Sequence, residues 1–359
     1  MLSLLSRVKS KLLRKLGYEK YISNLDAILA YPHDNDEVDK YIEKLERKKK
    51  NFISGEAFSS SINYPDLKAR FKYLNSRNRF SESLLCYSEI LTRESRWSNF
   101  MRPAGLRKIY MAKFLLSESV KPLDSRSFHS LLRLCKNYEG YDNAFEKLVT
   151  GKNIAIIGGA PSVEESGCVI DQFDLVTRIN INTTKKFNVN IVGSRCDIVY
   201  IRGERGELIS KNPMPYFSDG DSEKTVYRLK IKEQLRSMPL VESISLACNF
   251  DEIFNYGHLN AVQAAMLDLF VHGASSVKIF NVDFNLSGSA FAGYRPDNLS
   301  SVQFDKIFVA HPPHPQFDLC KKLHALGFLS GDAKFESIIA NDMPDFISKC
   351  DERWSLENH

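Results

Sequence analysis

Residues 151–180 hold the tightest constraint on the fold: an apolar strand, Asn153–Ile157, runs into Gly158-Gly159-Ala160-Pro161-Ser162, and a second strand, Phe173–Asn180, follows. Ile154 to Ile157 is wholly apolar and mostly β-branched, the pattern of a parallel strand buried on both faces. The two glycines let the backbone approach a ligand closely, and Pro161 fixes the turn. Ser162 suits a cap for the segment that follows, where Glu164 and Glu165 favour a helix N-terminus. At the carboxyl end of a parallel strand, such a turn lies where open α/β sheets bind ligands. Arg178 and Asn180 bring a cation and an amide to the same edge. The turn is neither Gly-x-Gly-x-x-Gly nor a Walker loop, so taken alone it leaves a nucleotide site and an ordinary strand-to-helix connection equally open.

The rest of the chain sets that unit in a larger sheet. Strand-like runs recur at Leu175 to Ile181, Ile198 to Ile201, Ser243 to Ala247 and Val277 to Phe284, with a helix from Leu259 to His272 ended by Gly273. Strands alternating with helices predict a Rossmann-like, doubly wound parallel sheet of the α/β class. Residues 1–147 carry helical patterning instead, as in Asp39 to Lys50 and Phe80 to Leu91. The expected division is a helical N-terminal region at 1–147, a Rossmann-like domain at 148–345 and a C-terminal tail at 346–359.

At 359 residues and 43% hydrophobic composition, the chain can bury one large core or two modest ones. Seven cysteines without a Cys-x-x-Cys pair suit a reducing compartment better than a disulfide framework, which points to the cytoplasm. No apolar run approaches the length of a membrane span, and Arg7 and Lys9 arrive too early for a signal peptide. That first segment is still basic and amphipathic, with Leu5, Val8, Leu12 and Leu16 at helical spacing among Arg7, Lys9, Lys11, Arg14 and Lys15. It suits either docking on its own domain or an anionic membrane surface, the second giving a peripheral place on the inner membrane. A net charge of +5 is too small to argue for nucleic acid.

Three pieces stand in order: Gly158 to Ser162 with Arg178-Ile179-Asn180, then Asn281-Val282-Asp283-Phe284 after a buried strand, then Val309-Ala310-His311-Pro312-Pro313-His314 before a helix. This order resembles the bacterial sialyltransferases that use CMP-sialic acid, and the wider sialyltransferase-like, GT-B-related group that includes CMP-Kdo transferases. The resemblance spans residues 150–330. It implies that Gly158, Gly159 and Ser162 line the cytidine monophosphate site, that Asn180 contacts the nucleotide or donor sugar, and that Arg178 stands with it. His311 matches the family histidine that serves as general base or as phosphate ligand. Asp283 would position a substrate or attack the anomeric carbon. A carboxylate there also suits capping of the loop from Asn285 to Ser289.

Departures from the family refine the expectation. Asn285 and Phe291 replace the tyrosine pair that holds the leaving phosphate, with Tyr294 as the substitute, and Gly159 and Ala160 replace the turn's asparagine and second glycine. These losses weaken the sialic-acid assignment more than the CMP-sugar assignment. The resemblance then implies a glycosyltransferase that moves an ulosonic-acid sugar, Kdo first and a sialic acid next, from CMP to a glycan acceptor such as a lipopolysaccharide or capsule precursor. No cofactor and no metal are expected. Asp219-Gly220-Asp221 lies in a turn-like stretch instead of ending a strand, and prolines keep His311 and His314 from a shared helical face. Arg202 and Arg205 follow the Ile198 strand and suit either a carboxylate contact or a solvated loop. The competing classes are a nucleotide-binding oxidoreductase, disfavoured because Asn180 stands where an acidic residue is needed, and a non-catalytic nucleotide-binding module.

Overall fold

The computed structural model describes residues 64–76, 78–96, 103–116, 122–136, 140–179, 188–201, 226–229, 244–248, 250, 258–288 and 311–354. All lie in one compact unit, Tyr64–His359. Seven parallel strands form its sheet: β1 (Asn153–Ile157), β2 (Leu175–Ile179), β3 (Ile198–Ile201), β4 (Val226–Leu229), β5 (Ile244–Leu246), β6 (Ser276–Phe280) and β7 (Leu329–Gly331). Their spatial order is β5-β4-β3-β2-β1-β6-β7. The chain thus steps outward from β1 to β5 and returns to the other side of β1 with β6. That reversal makes the sheet doubly wound, as expected, and puts the topological switch point between β1 and β6, where Ile157 lies opposite Phe280.

Among the described residues, four helices precede the sheet, α1 (Tyr64–Ser76), α2 (Phe80–Arg96), α3 (Pro103–Leu116) and α4 (Pro122–Cys135), and α5 (Asn143–Val149) leads into β1. Short α6 (Gly167–Ile170) and α7 (Val189–Val192) lie in the β1–β2 and β2–β3 connections, and α8 (Ala261–Val271) and α9 (Pro313–Ala325) lead into β6 and β7. The described residues end in α10 (Ala333–Ile339) and α11 (Met343–Trp354). On one face of the sheet, Ala155, Ile157 and Val176 pack with Ile170 of α6, Val192 of α7 and Phe280. Helix α8 is buried almost throughout, from Val262 to Val271. Phe128 of α4 lies 5.9 Å from Phe270 of α8 and 5.1 Å from Phe114 of α3, ring centre to ring centre. An all-round apolar helix needs such cover on both sides.

The helices at 64–135 are therefore built onto the sheet within the same compact unit. Residues from 346 onward, expected as a tail, instead continue α11 as far as Trp354, with Phe346, Ile347, Cys350 and Trp354 buried. Phe346 stacks on Phe317 of α9 at 4.1 Å. Asp351 of α11 accepts the amides of Phe80 and Ser81 at 2.8 and 3.0 Å, capping α2 across 270 residues of sequence. Asn78 Nδ2 donates to the Trp354 carbonyl at 2.8 Å.

Two strands escaped the sequence pattern. β4 carries the fully buried Arg228 at its centre, and β7 is the three-residue run Leu-Ser-Gly. The β6 strand also stops at Phe280 instead of reaching Phe284, because Asn281, Phe284 and Asn285 adopt left-handed φ of 55°, 54° and 68°. Gly273 ends α8 as expected: at φ 89° it donates to Phe270 O while Ala274 N donates to Leu269 O, the Schellman pattern. No helix among the described residues is long and apolar enough to cross a membrane.

Candidate functional site

The carboxyl ends of β1 and β6 are fastened to each other. Gly158 N donates to Phe280 O and Ala160 N to Asn281 O, both at 2.8 Å. A Cβ on Gly158 would meet Val282 Cγ2 at 2.4 Å and Asn281 O at 2.5 Å, so this glycine is required by the approach of the neighbouring loop. Gly159 and Ser162 are half-buried in the turn. Ser162 Oγ accepts from Glu164 N at 3.1 Å, but residues 161–166 are irregular, and the next helix starts only at Gly167. The seryl side chain thus closes a local turn and starts no helix.

The β6 loop is held by its own polar groups. Asp332, at the start of α10, accepts from Asn281 N at 2.6 Å and from Phe335 N at 2.8 Å, tying the end of β6 to the helix that follows β7. Phe284 is buried against Phe317, Phe335 and Phe346, with ring centres 5.5 to 6.0 Å away. That anchor and the carboxylates on either side compensate for three left-handed non-glycine residues in five positions, a concentration of strain typical of ligand-binding loops. Asn281 is 3% exposed, and its Nδ2 has no hydrogen-bond partner among the described residues.

Asp283 is 4% exposed. One carboxylate oxygen accepts from Asn285 N and the other from Ser287 N, each at 3.0 Å. This is the loop-capping role that its position allowed, and it uses the Asn285 amide. Lys334 of α10 completes the cluster: its Nζ donates to Asp283 Oδ2 at 3.2 Å and to Pro161 O at 3.3 Å. The turn after β1, the loop after β6 and the start of α10 therefore meet at one ammonium, whose side chain is 39% exposed. Sequence reasoning missed Lys334. Asp332 announces a helix N-cap, but only the pairing of β7 with β6 brings that helix to the switch point.

Arg178 sits differently from what its edge position suggested. It is 3% exposed, and it donates through Nε to Arg195 O and through Nη2 to Val192 O and Gly193 O, each at 2.9 Å. It binds the carbonyls at the end of α7, and burial pulls its pKa below the ordinary guanidinium value.

His311 stands at the entrance to α9, whose path into a parallel strand places its N-terminus at the same carboxyl edge. Its Nδ1 is 3.0 Å from His258 O, and Gln316 Nε2 donates to the same carbonyl at 2.9 Å. Gln316 Oε1 in turn accepts from Asn260 N. The starts of α8 and α9 are thus locked together around His258, whose ring lies 6.5 Å from that of His311. His314 is a core residue: Nε2 lies 3.1 Å from Ser83 Oγ and 3.0 Å from Phe80 O, and its ring contacts Phe71 and Tyr87. Asn180, Tyr294, the Arg202–Arg205 and Asp219–Asp221 runs and the amphipathic first segment all lie outside the described residues.

One grouping of potential metal ligands exists among the described residues, Cys248, Asp268 and His272, with ligand atoms within 4.8 Å of one another. Its centre is already occupied by a cation of the chain. Arg228 donates to both Asp268 oxygens at 3.0 to 3.1 Å, Tyr200 donates to Oδ2 at 2.6 Å, and Cys248 N donates to Oδ1 at 2.9 Å. Burial also pushes the Cys248 thiol far above its ordinary pKa, which disfavours a thiolate ligand. The group reads as a buried ion-pair network that joins β3, β4, α8 and, through Gly140 O, the segment before α5.

No family model and no curated protein matches the chain. Among solved structures, a mammalian sialyltransferase in complex with Gal-beta-1-3GalNAc-ortho-nitrophenol is similar over 66% of this chain and 88% of its own, at 11% identity and a TM-score of 0.32. The order and direction of the strands, not this distant likeness, carry the fold assignment.

Proposed function

We propose that the chain is a nucleotide-sugar-dependent glycosyltransferase whose donor is a CMP-linked ulosonic acid, Kdo before sialic acid, and whose acceptor is a bacterial surface glycan. The observation that carries the reading is the convergence at the switch point of the small-residue turn 158–162, the strained loop 281–285 with its buried Asp283, and the half-buried Lys334 ammonium. Doubly wound sheets bind nucleotides at this place. In the reaction, an acceptor hydroxyl oxygen bonds to the anomeric carbon as the bond from that carbon to the phosphate oxygen breaks. CMP leaves with the electron pair, and the acceptor proton passes to a base, the role we assign to His311. A keto-acid sugar develops oxocarbenium character at this centre, which the Asp283 carboxylate would stabilise. No metal is required in this scheme.

Titration calorimetry with CMP, UDP and NAD tests the nucleotide, and turnover of CMP-Kdo and CMP-sialic acid then tests the chemistry. CMP is expected to bind in the presence of chelator, and CMP-Kdo to be consumed faster than CMP-sialic acid. Preferential binding of NAD would make the chain an oxidoreductase, and CMP binding without donor turnover would make it a binding module.

A further inference from the structure

Resting on the CMP reading, we propose that Lys334 is the cation that receives the phosphate of the donor. Two of the amides of the turn after β1 are not offered to a phosphate, because Gly158 N and Ala160 N are already given to Phe280 O and Asn281 O. Arg178, the cation expected at this edge, is spent on the carbonyls of Val192, Gly193 and Arg195. Lys334 is placed otherwise. Its contacts to Asp283 and Pro161, at 3.2 and 3.3 Å, are longer than the usual charge-assisted bond, and its side chain is 39% exposed beside the carboxyl ends of β1 and β6.

Asp283 does not depend on the lysine for its hydrogen bonds. It keeps the amides of Asn285 and Ser287 when the ammonium turns away. A shift of Nζ from Asp283 to a phosphate oxygen therefore exchanges one anion for another and leaves the carboxylate anchored as the anion facing the sugar. One ammonium matches the single negative charge of a nucleoside monophosphate ester of a sugar. Asn281 Nδ2, buried without an acceptor among the described residues, is a second donor on the same loop.

The test compares CMP, cytidine and the free sugar acid by calorimetry on the full chain. Lys334→Gln is expected to weaken CMP at least 10-fold and leave cytidine unchanged, with Lys334→Arg restoring most of the loss and the thermal midpoint of both variants close to wild type. Increasing salt should weaken CMP in the wild type more steeply than in Lys334→Gln. Unchanged CMP affinity in Lys334→Gln overturns the assignment, as does a loss confined to the free sugar acid, which would make its carboxylate the bound anion. If the wild type binds no CMP, the donor reading itself fails. Inorganic phosphate then decides the cation: thermal stabilisation that Lys334→Gln abolishes keeps an anion site at this residue, and its absence rejects the site.

Discussion

Asp283 has both carboxylate oxygens engaged by backbone amides, and that geometry argues for a carboxylate that positions instead of one that attacks. Asp283→Asn keeps an acceptor for one amide and opposes the other with an NH2, which should cost about 1–3 kcal/mol of stability. Partial activity should survive, and donor alone should leave no sugar adduct on the intact protein by mass spectrometry. An adduct mapped to Asp283 would establish double displacement and reverse this assignment. The two histidines of the His311-Pro-Pro-His314 run part company in the same way. His311→Ala should lower turnover by about 100-fold with the fold intact, the usual scale of a general base. His314→Ala should instead cost about 3 kcal/mol or more in urea melts, because it empties an aromatic cage and removes one partner of buried Ser83.

The junction of α2 with α9 holds two titratable groups with opposed tendencies, the buried His314 and the half-buried Asp318. Burial lowers His314 from 6.5 to about 4, the Phe80 carbonyl only partly opposing this. Burial raises Asp318, which accepts from the Tyr87 hydroxyl, from 3.8 to about 6, with Lys321 and Lys322 pulling the other way. Between pH 4 and 6 the unfolded chain protonates His314 while the folded chain does not, so that group adds stability as pH rises. Over the same interval folded Asp318 keeps a proton that the unfolded chain has lost, so it removes stability as pH rises. The two slopes largely cancel. Asp318→Asn should leave the histidine unopposed at this junction, with stability falling by up to about 3 kcal/mol more than in wild type as pH drops from 6.5 to 4. Urea melts across that range check this, and a variant whose stability follows pH no more steeply than wild type would contradict it.

For the molecule as a whole, the helices before the sheet are part of its core. Phe80 and Ser81 are capped from α11, His314 is caged by α1 and α2, and α4 covers α8. A fragment of residues 64–359 should therefore unfold in one cooperative transition. A fragment of 148–345 lacks α1 to α4 and most of α5 and α11, and leaves the outer sides of α8 and α9 bare. It should show native-like far-ultraviolet dichroism at best, with strong dye binding and no cooperative melt. A cooperative melt of the shorter fragment would show that the helical layer is dispensable.

The layers of the fold were legible wherever a local period recorded them. The β-branched run of β1, the strands beginning at Leu175 and Ile198 and the apolar helix ended by Gly273 each report burial or a turn through nearest neighbours in sequence, and they lie where expected. β4 and β7 were not legible, because a buried arginine is neutralised by carboxylates from other elements, Asp268 above all, and a Leu-Ser-Gly strand is made by its partner. The site divides along the same line. Gly158 and Asp283 drew attention through residue type and place at strand ends. That Gly158 serves the approach of Val282, that Arg178 turns inward to α7 and that Lys334 arrives from beyond β7 were settled by strand order. Chain pairing across the β1–β6 reversal brings together residues more than 170 positions apart, and no local pattern encodes that distance.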